Sequence, residues 1–148
     1  MNTQTLDKIL SRNPITKKYY TGCFPSDRIP ECRHYPCSMV INLDDSKHRG
    51  SHWIGIFVKN ATHIYYFDSY GDLPHENKHI MKFLSGFKNI TRQTAVIQSV
   101  VSTACGYYVI FFIYICSLGK SLHYINSLLS KVKNPDKYVV NYVDKYIR

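Results

Sequence analysis

The sequence predicts one α+β domain spanning residues 1–148, in which a small central mixed β-sheet packs against a buried helix. A chain of 148 residues has the length of one ordinary domain with its own core. Segments rich in aromatic and β-branched residues, typical of strands, fill much of the first half, and apolar residues at helical spacing fill much of the second. A hydrophobic content of 45% excludes a disordered chain.

The N-terminal third is predicted to contain a short helix, a long loop and one strand. Residues 5–10 have helical character, and this helix ends before Asn13-Pro14. Residues 19–37 contain one glycine and three prolines, and this density of helix and strand breakers predicts a loop. Residues 38–43 are predicted as a short apolar strand, followed by a polar, turn-rich connection at 44–51.

A β-hairpin is predicted in the middle of the chain. Residues 52–58 and 63–68 are both rich in aromatic and β-branched side chains, and only four residues separate them. Residues 69–74 are predicted as a loop, and the spacing of apolar residues predicts a helix over 76–87. Residues 91–101 are predicted to be mostly extended, with an apolar Ala-Val-Ile centre.

The C-terminal third is predicted to be helical. Residues 105–118 are ambiguous, because their Tyr, Val, Ile and Phe content favours a strand whereas their uninterrupted apolar length favours a buried helix. We favour the helix, because strands rarely run past about 10 residues. Amphipathic helices are predicted at 121–132 and 136–147, the second with Pro135 at its start.

The charge of the chain bears on its partners rather than on its fold. The net charge is +9, from 19 Lys and Arg against 10 Asp and Glu, and this favours contact with a polyanion such as nucleic acid. The basic residues are scattered and form no arginine-rich tail or nucleic-acid-binding motif. Two interpretations therefore stay open, contact with DNA or RNA and a solvated basic surface.

The cysteine content indicates a reducing compartment. An odd number of cysteines and no apolar leader in the first twenty residues argue against a secreted disulfide framework. The longest apolar stretch, residues 106–118, is shorter than the roughly 20 residues that cross a bilayer. We therefore expect a soluble, unsecreted protein without a transmembrane segment. The cysteines are Cys23, Cys32, Cys37, Cys105 and Cys116.

A zinc site is not predicted. The first three cysteines and His34 supply the right ligand types. Their spacings do not match the paired patterns of structural zinc sites. We therefore expect no bound metal.

Four residues supply the parts of a thiol protease. Such an enzyme needs a thiol that ionises, a base within hydrogen-bond reach, a group that orients the base, and donors for the oxyanion. In the order of those four parts, the candidates are Cys105, His52, Asp68 and Gln98. Gly106 directly follows Cys105 and carries no side chain, which leaves room for a substrate.

Cys105 lies at the predicted N-terminus of the apolar helix, where the helix dipole favours a thiolate. A free thiol with a pKa near 8.5 is only about 3% thiolate at pH 7. A helix N-terminus contributes about 0.3–1 kcal/mol, which is less than one pKa unit. A nearby imidazolium has to supply the rest, and we assign this role to His52.

The predicted hairpin places His52 beside Asp68, because the start of one strand lies next to the end of its partner. Asp68 would then accept a hydrogen bond from the imidazole and stabilise its charged form. Gln98 precedes Cys105 by seven residues, so a short turn brings its amide beside the thiol. There the amide and the backbone N–H of Cys105 would hold the oxyanion.

Simpler interpretations of the same residues stay open. Cys105 fits a buried structural thiol, and Asp68 fits the first residue of a turn. Gln98 fits an ordinary surface amide, and Trp53 fits ordinary core packing. We favour the catalytic interpretation because the thiol, the base, the acid and the amide occur together in one chain.

Longer sequence pieces around these residues carry a family resemblance. They are Val40-Ile41-Asn42, Gly50-Ser51-His52-Trp53, Tyr66-Phe67-Asp68-Ser69-Tyr70-Gly71, and Gln98 with Thr103-Ala104-Cys105-Gly106-Tyr107-Tyr108. Each piece is weak alone, but their order and spacing together are specific. The sequence resembles the adenain-like cysteine proteases of adenoviruses and of polintons, adintoviruses and virophages. It is more distantly similar to proteases that process ubiquitin-like modifiers.

The resemblance implies a papain-like or adenain-like core with assigned roles. In that family the histidine is the base, the acid orients it, the glutamine lines the oxyanion hole and the cysteine attacks, and these roles fall on His52, Asp68, Gln98 and Cys105. Trp53 resembles the aromatic residue that flanks the family's catalytic histidine. The implied function is a viral maturation endopeptidase that cuts capsid and core precursors after a small residue such as glycine.

Further expectations follow from the same resemblance. We expect a monomer located in the virion and in the nucleus or cytoplasm of an infected host cell. The sequence requires no cofactor, while DNA or a peptide stays open as an activator. A disulfide-linked activator is not expected, because no cysteine lies between Cys37 and Cys105.

Two other functions stay open beside the viral protease. The first is a protease for ubiquitin-like modifiers, which uses the same chemistry. The second is a basic nucleic-acid-binding module on a catalytically dead protease fold. Turnover that depends on Cys105 separates both proteases from the binding module.

Overall fold

The predicted α+β fold is confirmed by the computed structural model, which describes residues 1–43, 52–72, 77–93, 95–99 and 103–148. Its five strands form one mixed sheet in the order β1-β2-β3-β4-β5. Outer strands pair in parallel, β1 with β2 and β4 with β5, while the central pairs β2–β3 and β3–β4 are antiparallel.

Helix α1 spans Thr3–Arg12, which confirms the predicted N-terminal helix and extends it at both ends. It begins where the side chain of Asn2 accepts a hydrogen bond of 2.9 Å from the N–H of Thr5, a common N-terminal cap. Leu6 and Leu10, four residues apart, form its buried side. Short 3₁₀ turns follow at Thr16–Lys18 and Ser26–Arg28.

Strand β1, Tyr20–Pro25, contradicts the prediction of a continuous loop over residues 19–37. It lies at the edge of the sheet, parallel to β2, and its register shifts between Tyr20 and Gly22. Gly22 therefore sits at an irregularity, and Pro25 ends the strand. Both residue types are tolerated at such positions of an edge strand, so their presence did not exclude a strand.

The predicted central strand and hairpin are confirmed. Strand β2 spans Cys37–Asn42, β3 spans Trp53–Asn60 and β4 spans His63–Phe67. The two-residue turn Ala61-Thr62 joins β3 to β4. The connection predicted at 44–51, with the Gly50-Ser51 part of the motif, lies outside the described residues.

Helix α2 and strand β5 differ in extent from their predictions. The helix spans Lys78–Leu84, within the predicted 76–87, and the side chain of Asn77 caps it. Strand β5 spans Asn89–Arg92 and pairs with β4, so the extended segment lies earlier than predicted. Residues 95–97 are irregular rather than extended in a strand, since β4 ends at Phe67 and offers no further strand partner.

The apolar segment after Cys105 is a helix, as predicted. Helix α3 spans Cys105–Ser117 and is buried around most of its circumference. The predicted amphipathic helices are also confirmed, as α4, Leu122–Ser130, and α5, Pro135–Tyr142. A π-helical turn at Val143–Ile147 continues α5.

The sheet has an apolar cluster on each face. Helix α3 lies in the larger cluster together with α1, α4 and α5, and α2 covers the opposite face. Neighbouring strand residues divide between the faces with a period of two: Phe57 and Phe67 face α3, whereas Ile56 and Tyr66 face α2.

Gly55 sets how closely α3 approaches the sheet. A Cβ at this position would lie 2.6 Å from Cδ1 of Phe112, which is too close for two carbon atoms. The Phe112 ring stacks on Phe67 with centroids 4.8 Å apart. The missing side chain therefore lets the helix that carries Cys105 pack directly on β3 and β4.

No helix in the described part of the chain combines the length and apolar character that crossing a bilayer requires.

Candidate active site

His52 and Asp68 meet at one end of the β3–β4 hairpin. His52 immediately precedes β3 and Asp68 immediately follows β4. The antiparallel pairing brings these ends together. Nε2 of His52 lies 2.8 Å from Oδ1 of Asp68, and the Asp68 side chain is 1% exposed. The predicted proximity of this pair is therefore present in the structure.

Asp68 also organises the turn that follows it. Its Oδ1 atom accepts a hydrogen bond of 2.9 Å from the N–H of Tyr70. Its backbone carbonyl accepts one of 2.8 Å from the N–H of Gly71, which has a φ of 68° that suits glycine. The turn-forming and histidine-orienting interpretations of Asp68 are therefore compatible, because one carboxylate oxygen serves both contacts.

Cys105 is the first residue of α3 and is 7% exposed. No described side chain caps this helix end, so its first N–H groups remain available for a negative charge. Burial opposes the thiolate, but the interaction with His52 and hydrogen bonds from the backbone of Trp53 and Gly106 outweigh burial and lower the pKa of Cys105. The site therefore favours the reactive form of the thiol.

His52 carries the complementary charge. Burial of the ring opposes protonation, but the contacts with Asp68 and Cys105 are stronger together and raise the pKa of His52 to about 9. At neutral pH the ring is therefore protonated, and its charge favours ionisation of the Cys105 thiol. An imidazolium–thiolate pair of this kind is what a cysteine nucleophile requires.

The two ring nitrogens of His52 have different surroundings. Nε2 is bound to Asp68, whereas Nδ1 is buried and has no partner of ordinary hydrogen-bond geometry among the described residues. By elimination, Nδ1 is the atom that interacts electrostatically with Cys105. Catalytic hydrogen bonds are often poorly aligned before a substrate binds.

Gln98 is buried, which contradicts its interpretation as a surface amide. It is 2% exposed, and its Oε1 atom accepts a hydrogen bond of 2.5 Å from the hydroxyl of Ser69. Because the oxygen end is held by Ser69, the NH₂ end is the one that can serve as a donor. Ser69 directly follows Asp68, so this hydrogen bond connects Gln98 to the segment that carries Asp68.

A second set of contacts fixes the segment that carries Gln98. The backbone N–H groups of Ile97 and Gln98 each donate to the carbonyl of Ser69 at 3.0 Å. On the other side, the Tyr108 hydroxyl donates to Oδ1 of Asp136 at 2.6 Å and contacts the Ile97 carbonyl at 3.2 Å.

The Asp136 carboxylate also accepts from the N–H of Ser99. Tyr108 is fully buried in α3, one turn after Cys105. The segment that carries Gln98 is therefore held through the Tyr108 hydroxyl to α3, the helix that begins at Cys105.

Gly106 packs against the N-terminal segment. A Cβ on Gly106 would lie 3.2 Å from Sδ of Met1 and 3.6 Å from a methyl group of Leu6. The glycine therefore accommodates these two side chains, and the expectation that it leaves room for a substrate stays a prediction. Its backbone also lowers the pKa of Cys105.

Trp53 contributes through its backbone as well as its ring. Its ring is half-buried and packs against the core that contains α3, as ordinary core packing requires. Its backbone hydrogen bond also lowers the pKa of Cys105. Sequence patterns do not report such main-chain contacts, so this contribution was not predicted.

Tyr70 and Ser69 are site residues to which the sequence assigned no role. The Tyr70 ring lies 4.9 Å from the His52 ring, centroid to centroid, at a tilt of 33°. Ser69 holds Gln98 as described. Both belong to the piece Tyr66-Phe67-Asp68-Ser69-Tyr70-Gly71. Their position directly after Asp68 is the feature of the sequence that could have identified them.

Cys23 and Cys116 behave as ordinary buried thiols, unlike Cys105. Burial raises the pKa of Cys23 to about 12, with Asp7 adding to the effect, and burial also raises the pKa of Cys116. Neither has a histidine among the described residues that reverses the shift. Within the described ranges, no group of three or more His, Cys, Asp and Glu residues is arranged to hold a metal ion.

Solved protease structures share this fold. The crystal structure of ASFV pS273R protease matches with a TM-score of 0.64 and 17% identity, covering 99% of this chain and 67% of that one. Its selenomethionine form matches with a TM-score of 0.60 and 17% identity, covering 100% and 68%. The chain has the fold of that protease. No protein-family model and no curated protein matches the sequence.

Proposed function

We propose that this protein is a cysteine endopeptidase with Cys105 as its nucleophile. The observation that carries the proposal is His52, which is hydrogen-bonded to a buried Asp68 through Nε2 and interacts with the Cys105 thiol at a helix N-terminus. The shared fold of ASFV pS273R protease supports the same conclusion.

In the acylation step, the Cys105 thiolate attacks the carbonyl carbon of the scissile peptide bond. The C–S bond forms as the carbonyl π electrons move to oxygen, giving a tetrahedral oxyanion. His52 then gives its Nδ1 proton to the leaving amine as the C–N bond breaks. Asp68 keeps the ring oriented through Nε2 and stabilises its charged form.

The oxyanion is stabilised by donors that are already in position. The backbone N–H of Cys105 at the start of α3 is one donor, and the NH₂ group of Gln98 is the other. Gln98 is suited to this role because Ser69 holds its oxygen end, so the amide needs little reorganisation during the reaction.

Deacylation returns the enzyme to its starting state. Neutral His52 takes a proton from water at Nδ1, and the resulting hydroxide equivalent attacks the thioester carbonyl. The C–S bond breaks, the carboxylic acid product leaves and loses its proton to solvent, and the imidazolium–thiolate pair forms again. The same oxyanion donors serve both steps.

The substrate class comes from the family resemblance. We propose that the enzyme matures viral capsid and core precursors by cutting after small residues such as glycine, as a monomer in the virion and in the infected host cell. The net charge of +9 supports DNA as an activator through phosphate contacts. A peptide activator is the alternative.

A peptide library tests this function. Wild type and Cys105→Ala are compared on peptides containing Gly-Gly, with and without DNA, and on ubiquitin-like modifiers joined to a fluorophore. Cleavage lost in Cys105→Ala supports the peptidase, and the preferred substrates separate precursor maturation from modifier processing. No cleavage by wild type under any condition, together with salt-dependent DNA binding, would replace the peptidase with a nucleic-acid-binding module.

A further inference from the structure

Two cysteines outside the candidate active site lie next to each other. Cys37 is the first residue of β2, and Cys32 stands five positions before it. The other end of β2, Asn42, pairs with Trp53 beside His52. At roughly 3.3 Å per residue, β2 separates these two ends by about 17 Å. The cysteine pair is therefore distinct from the candidate catalytic thiol.

Cys32 packs against the apolar cluster that contains Cys37. Cys32 and Cys37 share a side-chain hydrogen bond, and Sγ of Cys37 also lies 3.2 Å from the hydroxyl oxygen of Thr21 in β1. Both cysteines are reduced in this structure. Sulfur atoms that are close enough to hydrogen-bond need only a small movement to reach bonding distance.

The pair has one accessible and one buried member. Cys37 is 1% exposed. Cys32 is half-buried and lines a groove of about 540 Å³ between the 3₁₀ turn Ser26–Arg28 and α2. A small disulfide can therefore reach Cys32 from the groove, whereas Cys37 is buried and does not line it.

The surroundings stabilise one negative charge on the pair. The hydrogen bond from Cys32 lowers the pKa of Cys37 to about 6 against the effect of burial, and Thr21 and His34 add to the lowering. The same contact raises the pKa of Cys32. The pair therefore holds one proton and one charge near neutral pH, which is the state from which thiol–disulfide exchange begins.

We propose that Cys32 and Cys37 form a redox site that a low-molecular-weight disulfide, such as oxidised glutathione, converts to an intrachain disulfide. In the first step, Cys32 attacks one sulfur of the oxidant as its proton passes to Cys37 along their hydrogen bond. A Cys32–glutathione bond forms, the oxidant's S–S bond breaks, and one glutathione leaves as a thiolate.

In the second step, Cys37 resolves the mixed disulfide. Cys37 gives its proton to the departed glutathione thiolate and attacks the sulfur of Cys32, and the second glutathione leaves as a thiolate that takes a proton from solvent. The protein loses two electrons and one proton, the second proton comes from solvent, and one oxidised glutathione becomes two reduced molecules. This site does not depend on the proposed peptidase function.

The chain is well suited to a direct test, because Arg33 stands between the two cysteines. Trypsin places Cys32 on the peptide 29–33 and Cys37 on the peptide 34–47. After treatment of the folded full chain with oxidised glutathione and blocking of free thiols, we expect these two peptides to be joined in a non-reducing digest. Reduction should separate them.

Variants distinguish the resolving thiol from a general oxidation of the protein. In Cys37→Ser, Cys32 should retain one glutathione, because no second thiol displaces it. Cys23→Ser is the matched control and should still give the joined peptides. Wild type that retains glutathione on Cys32 without a link, keeps both thiols free, or links Cys32 to Cys23 instead would overturn the proposal.

Discussion

Nε2 of His52 lies 2.8 Å from Oδ1 of Asp68, although the two residues are 16 positions apart in the chain. The β3–β4 hairpin produces this contact, because it folds the start of one strand against the end of the next. The contact assigns Nε2 to the carboxylate and leaves Nδ1 for the Cys105 thiol. The predictions about activity below depend on this division between the two nitrogens.

The first prediction concerns the acidity of Cys105. Because the imidazolium of His52 lowers the pKa of the thiol, iodoacetamide should alkylate Cys105 readily at pH 6. In His52→Ala this stabilisation is lost, and a thiol with a pKa near 8.5 or higher is less than about 1% ionised at pH 6. We expect the rate at pH 6 to fall about tenfold for each unit by which loss of the imidazolium raises the pKa of the thiol.

Mass spectrometry of the tryptic peptide 93–120 measures this rate. The same peptide contains Cys116, a buried thiol whose pKa is raised, and this residue serves as an internal reference that should stay unmodified. An equal alkylation rate at Cys105 in wild type and His52→Ala would show that His52 does not lower the pKa of Cys105.

The second prediction concerns the pH profile of peptidase activity. His52 has a raised pKa of about 9, so the imidazolium is present below that pH and is lost as the pH rises through it. Asp68→Asn removes the carboxylate that supports this charge. We expect the alkaline limb of kcat/KM to move from about pH 9 to lower pH, with a rate loss of about 10³-fold.

Asp72→Asn is the matched control for this change, because it removes a nearby carboxylate that does not bind His52. Its profile should stay close to that of wild type. An Asp68→Asn enzyme that kept the wild-type alkaline limb would contradict the orienting role of Asp68.

The third prediction concerns the oxyanion donor. Gln98→Ala should lower kcat by about 10²–10³-fold with little change in KM, because the donor acts mainly in the transition state. Ser69→Ala frees the Oε1 end of the amide and should give a smaller loss of kcat. A change confined to KM in both variants would assign Gln98 to ground-state binding instead.

The fourth prediction concerns Asp136 as a positioning residue. Asp136→Asn weakens the bonds to Tyr108 and Ser99 that hold the 97–99 segment, so kcat should fall by about 10-fold at a temperature where the protein stays folded. Asp144→Asn, an exposed carboxylate, is the matched control. If Asp136→Asn changed only the unfolding temperature, its role would be structural and unconnected with Gln98.

The fifth prediction concerns the packing of α3. Gly55→Ala places a methyl group against the Phe112 ring, and overpacking of this kind costs about 1–3 kcal/mol. We expect the free energy of unfolding, measured with urea, to fall by that amount. Gly86→Ala, where the nearest atom lies 3.6 Å away, should change it little. Equal stability of both variants would show that α3 can shift without cost.

The sequence predicted the elements whose side-chain pattern is local. The hairpin and the α3 helix were predicted because β-branched and aromatic runs, or unbroken apolar length, report burial directly. The proximity of His52 to Asp68 followed from hairpin geometry alone. Strand β1 was missed because an edge strand tolerates Gly22 and Pro25, and its pairing with β2 is a tertiary contact.

Parts of the site could not be predicted from the sequence, because they also depend on tertiary contacts. The backbone hydrogen bond between Trp53 and Cys105 cannot be predicted from the types of the two residues. The anchor formed by Tyr108 and Asp136 joins residues 28 positions apart, through contacts that no short motif encodes. The packing of Gly106 against Met1 was not predicted, because it depends on where the N-terminal segment docks.

Covalent labelling tests directly whether Cys105 is the nucleophile. A Gly-Gly peptide carrying a C-terminal vinyl methyl ester places an electrophile where the scissile carbonyl would bind. We expect one adduct on Cys105 of the wild type, a rate strongly reduced in His52→Ala, and no adduct in Cys105→Ala. Labelling of wild type at Cys23 or Cys32 instead, or equal labelling of Cys105 in the presence and absence of His52, would contradict it.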